Sequence, residues 1–260
     1  MFPRQKIELT DGDAAAAGQG GAKGWLSEPG QGAAARLAIA SLVKFFPKSL
    51  APNGRLHLET LFCAVGALAG FAAQYALRQQ LASGMAKEAD VFTIAEAPNG
   101  ERYFFADRLN AMLVPQTLES TSVFSVLGGQ ALRLGAAKEE LPDCLEIFER
   151  AAKSIGTPDF GIPVLPAGHK SLLTPRRAVE VLWPSTLDML TREPVVPVPA
   201  FELLAPRHWP LALATVAASL MEAFKASLPP ALAVKIAMEA AIPISKIDQD
   251  AVQFARTSKH

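Results

Sequence analysis

TLFCAVGALAGFAAQYAL, residues Thr60–Leu77, runs without a formal charge. How it is buried decides the fold. A bilayer span needs about 20 apolar residues. This stretch falls slightly short, with His57 and Glu59 just before it and Gln74 inside it. Ala and Gly contribute little transfer free energy, so its drive to insert is weak beside that of a Leu-rich run. No belt of aromatic and basic residues flanks both ends. Gly66 and Gly70, with Ala69 and Ala73 close by, form a small-xxx-small pair that in lipid would be a dimerisation face. In a water-soluble body the same spacing lets a second helix approach closely. A helix apolar on all sides belongs in the middle of a bundle. The stretch therefore reads as a buried central helix from about Leu56 to Leu81, with Gly84 beyond it as a stop. Its two glycines cost roughly 1 kcal/mol each against Ala, which close packing must offset.

The bulk composition agrees with a water-soluble body. The 260 residues are half apolar and about a fifth charged, enough for one large or two small globular domains. Acidic and basic residues balance at 25 each, so no global field steers the chain onto nucleic acid or anionic lipid. The two cysteines make no disulfide framework. Cys63 reads as a small buried hydrophobe. Cys144 follows Pro142-Asp143 at a helix start, where backbone N–H groups could hold a thiolate, although a packed first-turn side chain is the commoner role. Met1–Lys6 is followed by acidic and Gly/Ala-rich residues rather than an apolar core and cleavage site, which predicts a cytoplasmic setting. Heavy Ala usage suggests a high-GC bacterial source.

Elements fall on both sides of the central helix. Residues 1–30 read as a flexible leader, low in complexity over 10–24. Glu28–Gly32 is a turn cluster and not a phosphate loop, since Gly-Lys-Ser/Thr is missing. Ala33–Phe46 has helical apolar spacing and is expected to end at Pro47. Val91–Glu96 and Arg102–Ala106 flank Pro98-Asn99-Gly100, a strong hairpin signal because Asn and Gly tolerate the positive φ of such turns. A lone hairpin is marginal. It is expected to pack on this chain's own helices, with pairing of hairpin edges across a dimer as the sharper alternative. Asp107 is placed as the cap of a helix from Arg108 to Pro115. Residues 118–135 read as helix, with a strand at Thr121–Val126 as the alternative. Leu141–Ile155 is a helix with Pro142 in its first turn. Pro-punctuated 157–174 and 193–210 are expected to lie extended on the core surface. A helix starts at Thr174-Pro175 and is expected to break at Pro184-Ser185. Three short helices follow, Pro210–Lys225, Pro229–Ala241 and Ser245–Ala255. The fold class is mainly α, bundle-like, with one β-hairpin at about 91–106, in a single compact domain over 31–260. A subdivision near 156–175 is the alternative organisation. The class becomes α+β if the Thr121–Val126 run and the Val/Pro segments are strands.

No chemical motif is complete. His57-Leu58-Glu59 is half of a zinc deaminase signature, but the Pro-Cys-x-x-Cys half is missing and no third ligand is convincing. The plain alternative is a polar first turn, with Glu59 at the positive end of the helix dipole. His169, His208 and His260 are scattered, and no HxxxH or HExxH occurs, so no metal is expected. Arg176-Arg177 suits phosphate or carboxylate binding, or a solvated helix face. Arg207-His208-Trp209-Pro210 opens an apolar helix and could bind an anion there, although such a Trp more often seals a helix onto the core. No Gly-x-Ser-x-Gly or Gly-x-Gly-x-x-Gly is present, which removes the nucleophile-elbow and dinucleotide readings. With few aromatics and no basic stripe, nucleic-acid binding is disfavoured.

These observations favour a non-enzymatic cytoplasmic module, binding or regulatory, that acts as a homo-oligomer such as a homodimer. Small-molecule or anionic ligands are the expected partners, with no cofactor. The first alternative is an enzyme whose site gathers His57, Glu59, Arg176, Arg177, Arg207 and His208, with no catalytic residue singled out. The second is a membrane-attached protein using 60–77.

Overall fold

The computed structural model describes residues 31–51, 54–84, 87, 91–117, 120–195, 198 and 201–255. The expected leader, Pro197, Pro199 and His260 lie outside the described residues. Within them are eight α-helices and one antiparallel hairpin, so the chain is mainly α.

Helix α1 (Gln31–Ser49) is followed by the long α2 (Leu58–Ala82), which carries the Thr60–Leu77 stretch. Helix α2 is the one described helix long and apolar enough to cross a bilayer, and 94% of its most apolar window is buried inside the protein. Strands β1 (Thr93–Glu96) and β2 (Arg102–Phe105) come next, then α3 (Asp107–Leu113), α4 (Val123–Arg133) and α5 (Cys144–Lys153). Helices α6 (Pro175–Leu190), α7 (Trp209–Phe224) and α8 (Pro230–Ile244) complete the bundle. Helix α2 packs most extensively on α8, then on α7 and α6, and α4 closes against α7. Leu61, Leu68, Phe71 and Leu77 share one apolar cluster with Trp183, Leu213 and Ile236.

The small-xxx-small pair sets the closest approach. A Cβ added at Gly66 would lie 2.2 Å from the Ala237 carbonyl oxygen, and one at Gly70 would lie 2.0 Å from that of Ala241. Two glycines four apart on α2 thus face two alanines four apart on α8, and the helix backbones touch where side chains would otherwise stand.

The hairpin pairs Thr93 with Phe105 and Glu96 with Arg102. The other edge of β2 is covered from within the chain: Phe104 N–H donates to Lys246 O at 2.8 Å, and Tyr103 bridges Ile247. Asp248 fastens the same edge through Arg102, at 2.6 Å, and Arg78, at 3.3 Å.

The helix expected within 118–135 is present at Val123–Arg133, started by a reciprocal cap between Ser122 and Ser125, and the alternative strand at Thr121–Val126 does not form. Several other local expectations change. Asp107 is the first residue of α3 rather than its cap, which is Ala106. Pro47 and Pro184 lie inside α1 and α6 instead of ending them. Ser245–Ala255 is not a helix: a turn at Ser245-Lys246 leads through the Ile247 bridge to one 3₁₀ turn at Gln249–Ala251. Its backbone is used elsewhere: Ser245 O and Ile247 O accept from the buried Gln74 amide at 3.1 and 3.0 Å. Those long-range bonds replace the i to i−4 bonds that a local reading supplies.

Candidate functional site

Of the six candidate residues, the structure brings His57 and Glu59 together and adds His169. His57 caps α2, its Nδ1 accepting from Thr60 N–H at 3.3 Å. Glu59, in the first turn, lies with Oε2 3.5 Å from His57 Nδ1 and Oε1 2.8 Å from His169 Nδ1. Leu172 N–H donates to Thr60 Oγ1 at 2.8 Å, so the loop carrying His169 is pinned to the start of α2. His169 is therefore not a scattered residue: it reaches across 110 positions to a carboxylate bracketed by two imidazoles. Partial burial pushes the Glu59 carboxyl up. The His169 hydrogen bond, a backbone N–H and the two nearby imidazoles outweigh it and hold the pKa below the usual value. His57 Nδ1 already accepts from the α2 backbone, which takes up the lone pair a metal would need. Among the described residues no group of three His, Cys, Asp or Glu could hold a metal ion.

The arginine candidates lie at other helix starts. Arg176 reaches Glu101 of the hairpin at 3.3 Å and Glu180 at 3.6 Å, and Arg177 reaches Glu180 at 2.9 Å. At α7, Arg207 Nε donates to Nε2 of the buried His208 at 3.0 Å. Trp209 stacks on Tyr75 with ring centroids 5.2 Å apart and donates to Leu204 O at 2.8 Å. That cluster seals α7 onto α2. Both thiols are in their protonated form at neutral pH: burial pushes Cys63 up to about 11 against a weaker opposing Ser171 hydrogen bond. Cys144 is pushed well above the ordinary thiol range by burial first, then by the charges of Asp143 and Glu239.

A groove of about 680 Å³ lies elsewhere, between α5, the 157–164 segment and α8. Its floor holds Glu239, 3% exposed, on the otherwise apolar inner face of α8. Burying a carboxylate without partners is costly. Here Oε2 accepts from Arg150 of α5 at 2.5 Å and from Val164 N–H at 3.1 Å. The pair therefore also ties the Pro-punctuated segment to the bundle. Ile147, Ile162, Val164 and Pro243 supply apolar wall. Residue types and spacing did not single this place out, because its parts lie up to 97 positions apart, from Glu146 to Pro243. One signal was readable: Glu239 is the one acid in α8, among Ala, Met and Ile.

No family model matches the chain, and neither a curated protein nor a solved structure matches it.

Proposed function

We propose that the protein is a non-enzymatic binding module for a small molecule, seated in the groove between α5, the 157–164 segment and α8. The observation that carries this reading is the Glu239–Arg150 pair set into the floor of a groove of about 680 Å³ with apolar walls. Small-molecule sites are concave, about 300–1,000 Å³, mainly apolar and supplied with a few placed polar groups. The other titratable clusters are used in holding the fold. Glu59 and its two histidines fix a loop to α2, and the α6 arginines pair with Glu101 and Glu180.

The test is to block the groove from its rim. Thr157 lines it and is exposed, so Thr157→Trp adds bulk there without disturbing the core. Metabolites that raise the melting temperature of the native chain are expected to lose that effect on Thr157→Trp at unchanged helical circular dichroism. Equal shifts in both proteins, or no shift in the native chain from any member of a broad metabolite set, overturn the proposal.

A further inference from the structure

We infer that the groove selects a cation, an amphipathic amine whose ammonium meets the Glu239 carboxylate and whose hydrocarbon body lies on Ile147, Ile162, Val164 and Pro243. This rests on the binding role proposed above and names its ligand class.

Two independent observations point this way. The first is the state of Glu239. Arg150 and Val164 N–H both engage Oε2, and among the described residues no hydrogen bond engages Oε1. A carboxylate accepts at both oxygens, so a residue 3% exposed that lines a groove with one oxygen unengaged presents an acceptor to whatever enters. A donor of opposite charge is the partner that best offsets burial there. The second is the charge of the lining. Glu146, Glu149, Asp159 and Glu239 stand against Arg150 and Lys153. Arg150 is taken by Glu239, and Lys153 pairs with Glu149 at 3.6 Å. Glu146 and Asp159 remain to give the groove a negative potential, which concentrates cations and repels a carboxylate or phosphate. An anionic ligand would meet those two acids, and the charge of Arg150 that could attract it is already offset by Glu239.

The test uses the full chain and three probes of equal length: hexylammonium, hexanol and hexanoate. They are titrated near pH 7 in about 150 mM salt, where the Debye length is about 8 Å and diffuse surface attraction is screened. The readout is the chemical shift of the Ile147, Ile162 and Val164 methyl groups. Hexylammonium is expected to bind about tenfold more tightly than hexanol, a difference of about 1.4 kcal/mol, and hexanoate more weakly than both. Glu239→Gln is expected to abolish the preference for the amine. Because that change leaves Arg150 without its acid, Asp159→Asn, at an exposed position, serves as the second variant and is expected to reduce the preference in a folded protein. If hexanol or hexanoate moves these methyls as effectively as the amine, the cation inference fails and the binding role stands. If none of the three moves them, both fail.

Discussion

Lys246 is a residue whose chemistry departs far from its type. It is 2% exposed, its Nζ donates to Asn110 Oδ1 at 2.5 Å, and the Phe148 and Phe105 rings flank it at 5.4 and 5.7 Å. Burial drives its pKa down from 10.5 to about 7 against the weaker upward pull of Asp107. The unfolded chain thus binds a proton that the folded chain lacks between about 7 and 10.5, and stability from this group rises with pH across that window. One titrating group gives a slope of roughly 1.4 kcal/mol per pH unit. Below the window the cost of holding an ammonium in a dry site is at its full value. Lys246→Met is therefore expected to be more stable than the native chain at pH 6–7, by an advantage that shrinks as the pH approaches 10. Urea midpoints measured across that range check it, and an advantage independent of pH would show that the amine does not titrate there. A reading by residue type had no access to this site. Nothing around Ser245-Lys246-Ile247 marks the lysine as dry, since Asn110, Phe105 and Phe148 reach it from distant positions.

The elements most legible in the sequence were those whose determinants are local. The hairpin followed from its Asn-Gly turn, and the central helix from an uncharged run with glycines four apart. Gly66 and Gly70 give that reading a test of sign. In an ordinary helix Gly→Ala gains about 1 kcal/mol. Here the new Cβ would enter the α8 backbone, 2.2 or 2.0 Å from a carbonyl oxygen that cannot rotate away. Gly66→Ala and Gly70→Ala are each expected to lose about 1–3 kcal/mol, the range for overpacking, measured by urea unfolding. A gain at either position would mean the helices do not meet backbone to backbone. Helix α6 was misjudged for the converse reason, because the compensation is remote. Pro184 has no N–H for the Glu180 carbonyl one turn earlier, which would ordinarily end the helix. Ala255 N–H donates to that carbonyl instead, at 2.8 Å, from the far end of the described chain. A double-mutant cycle isolates the effect. Ala255→Pro removes the donor and is expected to cost about 1 kcal/mol beside Pro184. It should cost less beside Pro184→Ala, where residue 184 supplies its own N–H. Equal costs in the two backgrounds would mean the tail does not serve the helix.

For the whole molecule, the contrast between fold and site has one physical origin. Helix periodicity and turn chemistry operate over a few residues, so the architecture could be read in outline. The groove joins α5 to α8 through one charge pair and the 157–164 segment to α8 through one backbone N–H donor, and the His57–Glu59–His169 cluster joins α2 to a distant loop. In each case only half of the arrangement was visible locally, as a lone acid in an apolar helix or an acid beside one histidine. The same logic bears on the long apolar helix, since by composition alone it fits a bilayer or a protein core. Its surroundings favour the core. Helices α6, α7 and α8 pack on it, and its two glycines are filled by α8 backbone. The amide of Gln74, fully buried midway along it, is held by Ser245 O and Ile247 O. Moving α2 into lipid would break these contacts and leave the Gln74 amide without acceptors, a cost of several kcal/mol for an unsatisfied polar group in hydrocarbon. The compensating gain is reduced, because eight of the 18 residues in Thr60–Leu77 are Ala or Gly. The purified chain is therefore expected to stay in the aqueous phase on cloud-point separation of a nonionic detergent, and to remain in the supernatant when vesicles of neutral or anionic lipid are sedimented. Partition into the detergent phase, or recovery with the vesicles after a high-salt wash, would mean that α2 leaves its packed position and that the helix bundle built around it is not the form the protein keeps.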